Sequence, residues 1–197
     1  MVTLCMDTSH KYLTLAIIKD HQLLDFHHEL CFKKQSEGIF IELDALMKKN
    51  GLEPKDIDSV CVAVGPGSYT GIRISMTIAK TLCSLKNIPL YKISTLALYA
   101  NNQPNTMVLL DARSKRAYCG IYNYSNILKD DFVEALDTID FKDSYQLVGD
   151  LSLIGKEDFY YNHAESFLNT IDSWRKVENI DLLVPSYLKE QKEYMNV

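Results

Sequence analysis

No apolar run in this chain of 197 residues is long enough to cross a bilayer. The start, Met-Val-Thr-Leu-Cys-Met-Asp, lacks the basic stretch and apolar core of a secretion signal. Cysteine pairs are also missing. Cys5, Cys31, Cys61, Cys83 and Cys119 are scattered, odd in number and set among apolar neighbours, with no Cys-x-x-Cys. That disfavours a disulfide framework or a zinc site and predicts buried free thiols in a cytoplasmic protein. Positive charge is in deficit, with 21 Lys and Arg against 26 Asp and Glu and a net charge of −5. A nucleic-acid grip built from clustered cations is therefore not expected. The short basic run Arg113-Ser-Lys-Arg116 reads as a solvated turn. What remains, 47% hydrophobic and 24% charged, is an ordinary soluble composition, sufficient for one large domain or two small lobes.

Within that composition, Val60-Cys-Val-Ala-Val-Gly-Pro-Gly-Ser-Tyr-Thr-Gly-Ile-Arg-Ile-Ser75 stands out. An apolar strand runs into a glycine-rich turn and then a helix. This layout either points backbone amides at an anion or lets another backbone approach closely. Two phosphate loops fail against it. A P-loop needs four residues between its glycines and then a lysine, whereas Gly67 and Gly71 have three between them and Ile72 follows. The dinucleotide fingerprint fits Gly65 and Gly67 only; Thr70 holds the third glycine position and no acid ends the next strand, Pro89–Ile93. Gly67-Ser68-Tyr69 also lacks the hydrolase elbow spacing, so Ser68 and Thr70 read as helix caps. Tyr69 reads equally as a surface contact or a packed aromatic.

Three strands are predicted at Val2–Met6, Tyr12–Ile18 and Gln22–Cys31, and another at Asp58–Val64. Residues 36–50 predict a helix capped by Ser36 and closed by Gly51, with Ile39, Phe40, Leu43, Leu46 and Met47 on one face. The second helix, about 70–85, carries two apolar stripes: Ile72, Met76, Ala79 and Cys83, and nearly opposite them Ile74, Ile78, Leu82 and Leu85. Arg73, Thr77, Lys80 and Ser84 lie between. One stripe suffices for a surface helix, so either both are enclosed or one faces a partner. Asn101–Asn105 marks a boundary between lobes at 1–100 and 106–197. Beyond it a hairpin is expected from Thr106–Leu110 and Ala117–Tyr122, then short strands at Gln146–Val148 and Leu151–Ile154 and a helix at His163–Ile171. Met6-Asp-Thr and Leu110-Asp-Ala echo each other, each an apolar strand ending in Asp.

Gly65-Pro-Gly-Ser-Tyr-Thr-Gly-Ile-Arg73 resembles the signature of the bacterial TsaB (YeaZ) family. Weaker matches follow in family order: Met6-Asp-Thr-Ser9, Ser36-Glu37, Asp111-Ala-Arg113, Val148-Gly-Asp150 and Pro185-Ser-Tyr-Leu-Lys189. The resemblance implies an α/β, RNase H/actin-like (ASKHA) fold in two lobes, the second small. It implies a non-catalytic subunit in the synthesis of threonylcarbamoyladenosine in tRNA, binding and activating the larger catalytic paralogue TsaD. Further implied partners are a second copy of the chain and a TsaE-like ATPase, with tRNA engaged only indirectly and no membrane. The chain itself needs no cofactor on this reading, while ATP or ADP is admitted at the partner interface. The partner surface is expected on the first two helices at Phe40, Ile41, Tyr69, Thr70, Arg73, Ile74, Thr77 and Ile78.

Asp7, with Thr8 and Ser9, and Asp111 are the candidates for a vestigial nucleotide cleft, because acids at such strand ends organise metal and water in actin-like ATPases. The alternative is that each Asp caps its own turn. The alternative function is a small actin-like ATP-binding phosphotransferase or hydrolase acting in that cleft. The His-x-x-x-His of the catalytic relatives is missing from His10, His21, His27, His28 and His163. Where the family often has His-Ser-Glu, this chain reads Gln35-Ser36-Glu37, and Gln35 is no acid or base.

Overall fold

The computed structural model describes residues 1–31 and 34–189. The chain begins with three antiparallel strands, β1 (Val2–Asp7), β2 (Tyr12–Lys19) and β3 (Gln22–Leu30). Helix α1 (Gln35–Lys49) leads to β4 (Ser59–Ala63), and α2 (Tyr69–Lys86) leads to β5 (Leu90–Ile93). β4 pairs parallel to β1, and β5 parallel to β4. A short helix α3 (Thr95–Tyr99) passes the chain to a second sheet of β6 (Thr106–Asp111), β7 (Arg116–Asn123), β8 (Asn126–Ala135) and β9 (Gln146–Gly149). Helix α4 (His163–Asn169) follows, and β10 (Arg175–Lys176) returns to pair with β5. The sheet orders are β10-β5-β4-β1-β2-β3 and β8-β7-β6-β9.

Strand alternation builds the core. Leu4 and Met6 of β1, with Leu13, Leu15 and Ile17 of β2 and Val60 and Val62 of β4, face the layer of α1 and α2. Cys5, Ala16, Cys61 and Ala63 face the other way, onto α3, α4 and the inner face of the second sheet at Val108, Leu110, Tyr118 and Tyr122. The outer face of the second sheet, Met107, Leu109, Cys119 and Ile121, packs on Ile139 and Leu151. All five cysteines are free, four of them buried.

Several expectations shift. α1 starts at Gln35 and Lys34 holds its N-cap position without a side-chain cap bond, so Ser36 is not the cap. Phe40 does not join Ile39, Leu46 and Met47 inside; it points to solvent. Leu151–Ile154 forms a 3-10 turn rather than a strand. Residues 175–189 belong with the first sheet as much as the second. β10 lies on its edge, Leu183 sits in the α1–α2 core, and Ser186 N donates to Val64 O at 2.7 Å.

Candidate functional site

The glycine loop is held against the turn that follows β1. Ser68 N donates to Ser9 O at 2.7 Å, and the Thr8 hydroxyl donates to Gly71 O at 2.6 Å. A Cβ on Gly67 would lie 2.2 Å from Ser9 O, and one on Gly71 would lie 2.1 Å from Thr8 O. Only glycine permits that backbone approach. Ser68 caps α2, its Oγ accepting from Gly71 N at 3.2 Å. The amides of Ser68 and Gly71 are thus engaged inside the protein. Thr70 lies within the helix rather than at its cap, exposed.

Asp7 is fully buried. One carboxylate oxygen accepts from Ser9 N at 2.8 Å and the other faces the Tyr99 phenol. Burial pushes its pKa up, against the pull of the bonds from Ser9 and of the His10 charge. Thr8 and Ser9 are buried as well, Ser9 Oγ accepting from Thr95 Oγ1 at 3.0 Å. Asp111 is exposed and accepts from Arg113 N at 2.6 Å. Both acids therefore cap their own turns, and Asp7 does not reach the cleft that Asp111 lines.

That cleft, about 670 Å³, opens between the start of α2 and the β6–β7 hairpin. His10, Lys11, Tyr69, Thr70, Ile74, Asp111, Arg113 and Lys189 are among its walls. Asp150, a residue whose importance was not apparent from the sequence beyond its Gly-Asp motif, ties the walls together. Its carboxylate meets His10 Nε2 at 2.9 Å and Lys11 Nζ at 3.1 Å from the first lobe. From the second lobe it accepts the Asp111 amide at 2.7 Å and the Tyr160 hydroxyl. Burial alone would raise its pKa, but the His10 bond and charge, then Tyr160 and the Asp111 amide, hold it well below the usual carboxylate range. Lys11 also pairs with Asp158 at 3.1 Å. The arrangement is a joint between lobes in which both Asp150 oxygens are matched by donors. Among the described residues no cluster of three His, Cys, Asp or Glu side chains could hold a metal.

The other assembled feature is the outer surface of α1 and α2. Ile72, Met76, Ala79 and Cys83 are the stripe that goes inside. Ile74, Ile78 and Leu82 are half-buried against the same core, and Leu85 is 82% exposed. On α1, Phe40 is 63% and Ile41 68% exposed. Thr70, Arg73 and Thr77 form the exposed polar band of α2. Tyr69 is half-buried, stacked on Tyr187 with centroids 5.2 Å apart, and the Arg73 guanidinium lies 5.3 Å over its ring. The expected partner residues thus lie on α1 and α2, Tyr69 stacked on Tyr187 of the returning C-terminal segment.

Comparison with known proteins agrees with this architecture. A family model described as TsaD, tRNA N6-adenosine threonylcarbamoyltransferase, matches residues 26–151. The TsaB tRNA threonylcarbamoyladenosine biosynthesis protein of Bacillus subtilis is 33% identical over 137 residues, 68% of this chain and 60% of that protein. Its counterpart in Escherichia coli is 28% identical over 128 residues, 62% of this chain and 55% of that protein. The matched stretch thus spans less than two thirds of either relative. YeaZ from Pseudomonas aeruginosa superposes with a TM-score of 0.80 at 20% identity, covering 95% of this chain and 99% of that one, a likeness of fold. By its glycine loop, its paired sheets and these matches, the chain belongs to the TsaB (YeaZ) family of TsaD-related proteins.

Proposed function

We propose that this chain is a non-catalytic subunit in the synthesis of threonylcarbamoyladenosine in tRNA, and that it docks on and activates a TsaD-like catalytic paralogue. The observation that carries the reading is the α1–α2 surface. A helix pair that leaves Phe40, Ile41 and Leu85 in water, and Ile74 and Ile78 half-buried, has apolar area to offer a partner. Arg73 and Thr77 would give the rim its direction. The same surface would serve a second copy of the chain, so the homodimer and the heterodimer compete. A TsaE-like ATPase would join the assembly through the paired subunits, and tRNA would be met through the catalytic paralogue.

The glycine loop supports a non-catalytic role. Two of its amides, those of Ser68 and Gly71, are taken up by bonds inside the protein and the Asp7 carboxylate is buried; on this reading any ATP or ADP in the assembly would rest at the partner interface. The cleft beside Asp111 keeps a second reading open, a small actin-like phosphotransferase or hydrolase; it requires nucleotide turnover by the chain alone.

Reconstitution tests the proposal. The chain is mixed with its catalytic paralogue, the adenylate-forming enzyme and unmodified tRNA, and nucleosides are measured by mass spectrometry. Modification that needs this chain, with no ATP turnover by the chain alone, is the expected result. Equal modification without it would refute the proposal.

A further inference from the structure

A second, smaller pocket of about 200 Å³ lies away from the cleft, where β5, the β7–β8 hairpin and the segment after α4 meet. Its walls include the buried Ile93 and Tyr122, the half-buried Ala97 and the exposed Tyr124 and Ile127, with Ser94, Ser125 and Ser173 among the polar groups; the Ser94 and Tyr122 hydroxyls both donate to the Asp131 carboxylate. Lys92 and Arg175 also line it. These two cations are directly opposite each other in the antiparallel pair of β5 and β10. Directly opposed residues send their side chains to the same face, and like charges so placed repel. Among the described residues neither comes within ion-pair distance of a carboxylate. The Arg175 guanidinium instead donates to the backbone carbonyls of Asp172 and Trp174, at 3.1 and 3.2 Å, which positions it without neutralising it.

We propose that this pocket binds a small organic carboxylate, its anionic head between Lys92 and Arg175 and its apolar body against Tyr122, Tyr124 and Ile127. A carboxylate there converts a repulsive cross-strand pair into two charge-assisted contacts, and the guanidinium presents two parallel donors to it. The volume limits the body to a few carbon atoms. The site lies on neither the α1–α2 surface nor the cleft, so it is independent of the proposed role in tRNA modification.

The protein carries its own reporter. Trp174, the one tryptophan of the sequence, precedes Arg175 and lies 6.0 Å from the Tyr91 ring, centroid to centroid. Tryptophan fluorescence of the full chain is titrated with sodium butyrate, and separately with sodium phosphate, butan-1-ol and sodium chloride, the salts at matched ionic strength. A saturable change with butyrate alone is expected. Lys92→Gln and Arg175→Gln combined should weaken it at least tenfold while raising the melting temperature of the ligand-free protein. Ala97→Leu, which fills the pocket and keeps both charges, should abolish the change. A butyrate response no larger than that of chloride would overturn the proposal, as would saturation by phosphate without butyrate or undiminished binding by the double variant.

Discussion

In the first sheet, β1, β2 and β3 run antiparallel and β4 returns parallel beside β1; in the second, β6, β7 and β8 do the same and β9 returns beside β6. The glycine joints repeat too. Gly71 abuts Thr8 O after β1, and Gly149 abuts Leu109 O within β6, where a Cβ would lie 2.0 Å away. The helices do not repeat. Between β3 and β4 the first lobe inserts the 15-residue α1, and after β4 the 18-residue α2. Among the described residues the second lobe has no helix between β8 and β9, and after β9 come a 3-10 turn and the 7-residue α4 in place of a long helix. The same strand frame thus supports two different jobs. The second lobe braces the first through Asp150 and the shared core, while the first alone projects long helices with an apolar outer side.

If the glycine joints are equivalent, breaking either should cost the most. Gly71→Ala and Gly149→Ala each place a Cβ about 2 Å from a backbone oxygen. We expect at least about 3 kcal/mol of destabilisation for both, by chemical denaturation. A mild effect at Gly149 alone would show that the second lobe is the looser copy. Asp150→Asn should come next, at about 3 kcal/mol, because it leaves Lys11 half-buried with one carboxylate fewer and weakens the His10 contact. Separate melting of the lobes in calorimetry would mark this joint as what couples them.

The docking contrast is sharper in binding than in stability. Phe40→Asp and Ile41→Asp should each weaken association with the catalytic paralogue by roughly 30-fold or more, with unfolding little changed. Ile127→Asp and Leu128→Asp on β8 alter side chains that are also exposed, 58% and 54%, and should leave association intact. Equal losses from both lobes would erase the distinction.

The smallest predicted effect is on pH. His163 is buried at the start of α4, its ring 4.8 Å from His28 of β3, and neither of its nitrogens has a hydrogen-bond partner among the described residues. Burial, then the neighbouring His28 and His10, drives its pKa well below the ordinary value; burial, then His27, lowers His28 to about 4. Both histidines are held neutral in the fold, so the unfolded chain binds more protons below its own pKa of about 6.5. Their contribution is complete above that pH and is lost as pH falls toward 4, with a slope up to about 1.4 kcal/mol per pH unit per proton. His163→Phe should flatten the fall in stability between pH 6.5 and 4, measured by urea unfolding.

Much of the first lobe was legible because its signals are strong: β-branched runs, a nine-residue glycine motif and an 18-residue helix with clear stripes. The two-stripe pattern on α2 did not say which stripe went inside; that depends on where β1 and β4 lie, which is tertiary information. Phe40 has helical spacing with Leu43 and Met47, yet the helix is rotated to bury Ile39 instead. In the second lobe, β8 reads Asn-Ile-Leu-Lys-Asp-Asp-Phe-Val-Glu-Ala, an edge strand whose charges break the alternation, and it was not anticipated. Leu151–Ile154 is too short an apolar run to separate strand from 3-10 turn. Asp150 is joined to His10 across 140 positions, a contact that no local pattern encodes.

Hydrogen exchange of the chain, alone and mixed with its catalytic paralogue, tests the central claim most directly. The account predicts that amides of α1 and α2 around Phe40, Ile41, Arg73 and Thr77 gain protection, with β8 unchanged. Protection confined to the second lobe, or none anywhere at concentrations that support tRNA modification, would contradict it.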